Sequence, residues 1–171
     1  MLSVWYAYAL LVSGEMDAAE ARLTDAERWL EPADNMNERP KNPAAEMVVV
    51  DEEQFRSLPA TIAIARAYHA QALGDVPGAV TYAQRALDLT PEANHLKRGQ
   101  ATALLGLTYW ASGDLEAANR TFAGYTMMLR TAGNILDAIS TTCILADIRM
   151  ALGRLHEAAS TLEQLLQFVV D

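Results

Sequence analysis

The side chains that could perform chemistry are few in this sequence and stand far apart. The three histidines, His69, His95 and His156, occur at no metal-ligating spacing from one another, and none lies near the single cysteine. No basic residue is placed to lower the pKa of Cys143, so we expect a small packing or groove-lining group rather than a nucleophile. The sequence therefore predicts no catalytic residue, no metal site and no cofactor.

The net charge of the chain limits the kinds of partner that it could bind directly. The 171 residues carry 13 Lys and Arg against 22 Asp and Glu, a net charge of −9, which argues against direct contact with nucleic acid. The acidic run at residues 51–53 lacks the glycine-containing loop of a calcium site, so we interpret it as a solvated helix start.

The longest apolar run, residues 4–12, is short of the ~20 residues of a membrane-spanning helix. A single cysteine and no membrane segment predict a cytoplasmic protein.

Four glycines divide the chain into repeats. Gly14, Gly74, Gly113 and Gly153 are each followed by a charged residue and, five positions later, by alanine. A glycine just past a helix can adopt the left-handed conformation, so each one ends a helix and allows the next to begin. Apolar residues recur at helical spacing on both sides. The pattern predicts four helix–turn–helix units.

These units predict an all-α fold. We expect one domain over residues 1–171, a right-handed superhelical array of four antiparallel helix pairs whose stacked pairs share one core. Residues 32–50, rich in proline, asparagine and aspartate, predict a long loop or insert between the first and second pairs. The eight predicted helices span residues 2–13, 15–31, 58–73, 76–89, 97–112, 114–131, 135–152 and 154–169.

The first helix of each pair should line a concave face, where such arrays bind ligands. Residues six positions before each glycine are predicted to face the concavity: Tyr8, Tyr68, Leu107 and Asp147. Residues three positions before each glycine should do the same: Leu11, Gln71, Trp110 and Met150. The same side should carry Thr61, Gln100, Ser140 and Cys143. Aromatic rings beside isolated polar groups suit a sugar-like or peptide ligand; the alternative is that Tyr68 and Trp110 pack between helix pairs.

The third unit resembles the tetratricopeptide (TPR) repeat. The resemblance rests on Leu105-Gly106, Tyr109, Gly113-Asp114, Ala118 and Phe122. The unit is longer than the usual ~34 residues, and Thr102 stands where the family has tryptophan. Residues 58–169 are more specifically similar to the helical array of MalT-like, LuxR-type ATP-dependent transcriptional regulators of bacteria, through the runs 58–67, 72–76, 103–118 and 146–158.

This resemblance implies an interaction or sensor domain. In the family, the array lies between a nucleotide-hydrolysing module and a helix-turn-helix, and it senses an inducer or docks a protein partner to control self-association. The sequence contains neither a phosphate-binding loop motif nor a basic recognition helix, so ATP hydrolysis and DNA binding are not carried over to these residues. The expectation is a non-enzymatic domain binding an inducer or protein on its concave face.

Two other functions stay open. One is a standalone docking adaptor unrelated to transcription, and the other, the least supported, is an all-helical enzyme. The first predicted helix has almost no polar side, and the last ends in the mainly apolar run 165–170. These apolar ends predict that missing repeats or a second copy in a homodimer cover them; the alternative is that they are frayed, tolerated ends.

Overall fold

The computed structural model describes residues 2–28, 30 and 52–170. Nine helices lie in this part of the chain: α1 (Leu2–Ser13), α2 (Met16–Arg28), α3 (Glu52–Arg56), α4 (Leu58–Ala72), α5 (Val76–Leu89), α6 (His95–Ala111), α7 (Leu115–Thr131), α8 (Ile135–Ala151) and α9 (Leu155–Val170). The all-α, TPR-like prediction is confirmed, with the pairs α1/α2, α4/α5, α6/α7 and α8/α9 packed in sequence order. The predicted loop or insert at 32–50 lies outside the described residues.

The count of eight helices was one too few. The extra helix, α3, begins at the acidic run that the sequence marks as a helix start. It is only five residues long, which is too short to show a clear periodic pattern. Helix α6 begins at His95, two residues earlier than predicted, because the side chain of Asn94 caps it by accepting from the backbone N–H of Lys97.

The turns inside the pairs form as the sequence predicts. All four repeat glycines have positive φ, between 75° and 84°. After two of them an aspartate caps the next helix, Asp75 accepting from the N–H of Gly78 and Asp114 from that of Ala117, both at 3.0 Å. A fifth glycine, Gly133, also has positive φ and ends α7.

Small residues allow the helices to approach closely. The alanine five positions after each repeat glycine is buried in every pair (Ala19, Ala79, Ala118 and Ala158). Larger apolar side chains, such as Leu23, Phe122 and Ile148, fill the space between helices and are also buried. Burial of this kind supplies most of the stability of a helix that is marginal alone.

The first helices of the first three pairs run in the same direction. Val4 packs in one cluster with Leu58 and Ile62, and Ala7 and Leu11 pack in another with Ala65. The contacts from α4 to α6 advance in the same sense, from Lys97 on Ser57 and Thr61 to Leu105 on Ala67. The amino-terminal ends of α1, α4 and α6 therefore lie at one end of a shared surface.

Buried Arg66 fixes α4 against α2. Its guanidinium donates to both carboxylate oxygens of Glu27 (3.1 and 2.6 Å), to Glu20 and to Thr24 Oγ1 (3.1 Å). His69 Nδ1 lies 3.4 Å from Glu20, and its Nε2 lies 3.1 Å from the Met16 carbonyl. Burial alone would lower the pKa of Arg66, but the hydrogen bonds to Glu27 and Glu20 raise it. The guanidinium is therefore charged and paired in the folded protein.

Candidate functional site

A groove of about 1030 Å³ crosses α1, α4 and α6. Its floor and walls are side chains that recur every three or four residues, so each helix contributes one continuous face. These side chains are Val4, Trp5 and Tyr8 on α1, the stripe Leu58, Thr61, Ile64 and Tyr68 on α4, and the stripe Lys97, Gln100, Leu104 and Leu107 on α6. The residues Gln54, Ser57 and Asn94 close the end where α4 and α6 begin.

Thr61 connects the three helices across the groove. Its hydroxyl accepts a 2.8 Å hydrogen bond from Lys97 Nζ on α6, and its carbonyl accepts a 3.5 Å hydrogen bond from the Tyr8 hydroxyl on α1. Lys97 Nζ also donates to the Ser57 carbonyl at 3.3 Å. These bonds hold Lys97, the one charged side chain among the described lining residues, in a fixed position.

Burial shifts the pKa values of two lining groups. It raises the pKa of Tyr8 to about 12, so the hydroxyl is protonated near neutral pH. It lowers the pKa of Lys97, because the half-buried ammonium has lost hydration. Among the residues that the structure describes, no carboxylate lies within ion-pair distance of that ammonium.

A second, smaller depression of about 190 Å³ lies between α6 and α8. It shares Ala103 and Leu107 with the groove and adds Asp137, Ser140, Thr141 and Ile144 from α8. Helix α7 also reaches it, through Phe122 and Tyr125. Burial, and secondly the charge of Asp137, raise the pKa of Tyr125.

The structure brings five of the twelve predicted concave-face residues together. Tyr8, Thr61, Tyr68, Gln100 and Leu107 all line the groove. The residue six positions before the repeat glycine therefore lines the groove in each of the first three pairs. Tyr68 is 39% exposed, so it is open to a ligand rather than packed away between helix pairs.

The other predicted residues lie outside the groove. Gln71 and Trp110 belong to the last turns of α4 and α6, beyond its end, and Asp147 and Met150 are exposed on α8. The prediction for Leu11 was wrong: it is 2% exposed and packs with Ala7 and Ala65 in the core. Ser140 lines only the smaller depression, and Cys143 is exposed and lines neither.

Several lining residues were missed in the sequence. The sequence indicates only that residues 95–98 form a basic cluster too small for a recognition helix, and it does not single out Lys97, Leu96 or Asn94 as groove residues. The spacing 97, 100, 104 and 107 is the signal that could have identified Lys97 and Leu104, because it places them on one helical face with Gln100 and Leu107. The predicted groove positions of α6 end at Gln100, one turn short of Lys97.

The described residues hold no group of three or more His, Cys, Asp or Glu side chains arranged to bind a metal ion. The groove is suited to binding a ligand, because its described lining presents aromatic rings, amides, hydroxyls and one ammonium around an apolar floor. None of the described helices combines the length and hydropathy that a bilayer-spanning segment needs.

A family model for the MalT-like TPR region matches residues 60–171, which include all of α5 to α9 and most of α4. Searches of curated proteins and of solved structures find no significant match. The matched segment is about two-thirds of the chain and contains three of the four helix pairs of the array. The chain therefore belongs to the family of MalT-like TPR regions.

Proposed function

We propose that this chain is the sensor region of a LuxR/MalT-type bacterial transcriptional regulator in the cytoplasm. In this proposal an inducer or a protein partner binds in the groove across α1, α4 and α6, and binding controls self-association. The role is non-enzymatic. The observation that carries the proposal is the groove itself, which is lined from three consecutive helix pairs of a MalT-like array.

The geometry suits a sensor because one ligand would contact three separate repeats. Neighbouring pairs of such an array touch only one another, so their relative orientation depends on a few interfaces. A ligand that contacts α1, α4 and α6 together favours the arrangement in which those contacts are made. Shifting that equilibrium changes which surfaces the array presents to another copy.

The test is a thermal-shift screen of sugars, metabolites and peptides, followed by titration of each hit. Tyr68→Ala removes a groove aromatic, and we expect it to weaken binding about two- to tenfold, since an aromatic contact contributes about 0.5–1.5 kcal/mol. Trp110→Ala is the matched control: Trp110 has a similar exposure, 36% against 39% for Tyr68, but lies outside the groove.

The two variants separate a groove site from general instability. If Trp110→Ala weakens binding as much as Tyr68→Ala, the groove is not the binding site. Self-association is measured by light scattering with and without the hit, and we expect a change in dimer population. A chain that stays monomeric in both states contradicts the proposed link between binding and assembly.

A further inference from the structure

Charge is distributed unevenly over the groove. The chain has a net charge of −9, yet the described lining residues include one lysine and no Asp, Glu, Arg or His. Lys97 Nζ stands between Thr61 Oγ1 and the Ser57 carbonyl, both neutral acceptors. An ammonium has three N–H donors, and these two partners use two of them. Among the described lining residues Lys97 is therefore the one positive charge, and its ammonium has hydrogen-bonding capacity left for a ligand.

The start of α6 adds to the positive potential near Lys97, whereas the start of α4 adds little, because α3 ends one residue before Ser57 and Pro59 has no backbone N–H. The groove lining includes Ser57 and Leu58 at the start of α4, and Asn94 and Leu96 at the start of α6. The first N–H groups of a helix carry a partial positive charge. Because α4 and α6 run in the same direction, both amino-terminal ends lie at the same end of the groove as the ammonium.

The opposite end of the groove is apolar. Moving from Lys97 toward the carboxyl-terminal ends of the helices, the lining changes to Ile64, Leu104 and Leu107, with the rings of Tyr8 and Tyr68 at the sides. The end that contains Lys97 thus carries the charge and most of the polar groups, beside the apolar Leu58 and Leu96, whereas the other end is mainly apolar. A ligand that fits it has the same division.

We propose that the groove binds a small organic carboxylate, with its anionic group at Lys97 and its aromatic or aliphatic body over Ile64, Leu104 and Leu107. This inference rests on the proposed function, because it names the ligand class of the same groove. It excludes a neutral sugar as the preferred ligand. A charged pair inside a partly desolvated groove is stronger than one on the surface.

The state of Lys97 supports this assignment. Burial lowers its pKa, because the charged ammonium has lost hydration, and a bound anion offsets that unfavourable desolvation free energy. Carboxylate binding should accordingly weaken as pH rises through the lowered pKa of Lys97, below the usual value of 10.5.

The experiment compares two probes that differ only in charge, 4-phenylbutyrate and 4-phenylbutanamide, titrated into the 15N-labelled full chain. We expect the carboxylate to bind about tenfold more tightly than the amide, since hydrogen bonds to charged groups contribute that much. Lys97→Gln should abolish the difference, and Lys97→Arg should retain it. Arg120→Gln, an exposed α7 position with the same change in charge, should leave both affinities unchanged.

Each outcome has a distinct meaning. If the acid and the amide bind equally and Tyr68→Ala weakens the binding of both, the carboxylate assignment is wrong and the sensor proposal still stands. Equal losses in Lys97→Gln and Arg120→Gln show that overall charge, not Lys97, governs binding, which also overturns it. If neither probe binds at millimolar concentration, the assignment fails, and the ligand screen alone then decides the sensor proposal. Unfolding curves of all variants confirm that the folded state is compared.

Discussion

The groove across α1, α4 and α6 and the depression between α6 and α8 lie side by side and share Leu107, yet one encloses about 1030 Å³ and the other about 190 Å³. The larger one contains an ammonium and no carboxylate among its described lining residues, whereas the smaller contains Asp137. The same repeat geometry therefore produces sites of different size and opposite charge. The difference must come from particular side chains.

One pair of positions in each repeat differs between the two sites. In the third pair, Gly106 faces Phe122, and a Cβ on Gly106 would lie 2.8 Å from Phe122 Cε2. The ring fills the space toward α8, where it packs with Leu145 and Ile148. In the second pair, the corresponding residues at the same distances from the repeat glycine are Ala67 and Ala83. These two alanines pack with Leu105, and no α5 side chain lines the groove among the described residues.

The helices that form the walls of the two sites are anchored by different interactions. The prediction with the largest expected loss of stability tests this difference. Arg66→Met removes the cation from two carboxylates of α2 and should lower the free energy of unfolding by about 3 kcal/mol. This is the lower end of the range for broken buried pairs, because the side chains of Glu20 and Glu27 are 46% and 38% exposed and regain hydration. Urea unfolding followed by circular dichroism measures the loss.

Arg149→Met is the counterpart on α8. Arg149 donates to Asn119 Oδ1 at 3.2 Å and to Thr161, and its side chain is 21% exposed. Its ion pair with Glu157 is long, at 3.8 Å. Losing hydrogen bonds to mainly neutral partners should cost roughly 1 kcal/mol. Equal losses in Arg66→Met and Arg149→Met would contradict the view that the groove wall is anchored more firmly.

The close contact between α6 and α7 gives the next largest effect. Gly106→Ala places a methyl against the ring of Phe122, which is only 1% exposed and has little room to move, so we expect a loss of about 1–3 kcal/mol. Gly124→Ala is the matched control in α7, since nothing lies within 4 Å of its Cβ position. There the gain in helix propensity should stabilise the protein by about 0.5–1 kcal/mol. Two changes of the same sign would show that packing on Phe122 does not limit the smaller depression.

Much of this architecture could be predicted from the sequence because it depends on local rules. The repeat glycines, the caps at Asp75 and Asp114, and the buried alanines each require only near neighbours in the chain. The groove was predicted only in part, because its extent depends on how three helices from different pairs pack. Lys97 shows the limit: its neighbours Ser57 and Thr61 are about forty positions away, and no local pattern brings them together.

The two tyrosines provide the finest test of the difference in charge. Tyr8 in the groove owes its raised pKa to burial alone, whereas Asp137 adds to the effect of burial on Tyr125 in the depression. Asp137→Asn should therefore lower the pKa of Tyr125 and leave that of Tyr8 at about 12, as measured by 13C NMR of the tyrosine Cζ atoms. If both values move together, the two sites are coupled electrostatically across α6.

Ionisation of Tyr8 also affects the free energy of unfolding. The folded pKa of Tyr8 lies above its unfolded value of 10.0, so its contribution is fully present below pH 10 and is lost as pH rises toward 12. At pH 11 the loss should reach about 1.4 kcal/mol, because pH 11 lies one unit above the unfolded pKa and each pKa unit corresponds to about that free energy. Tyr8→Phe removes this component, so its unfolding free energy should fall less steeply than that of the parent between pH 10 and 12. Parallel curves would mean that the Tyr8 hydroxyl ionises as readily in the folded chain as in the unfolded one, and the groove would then be wetter than its lining indicates.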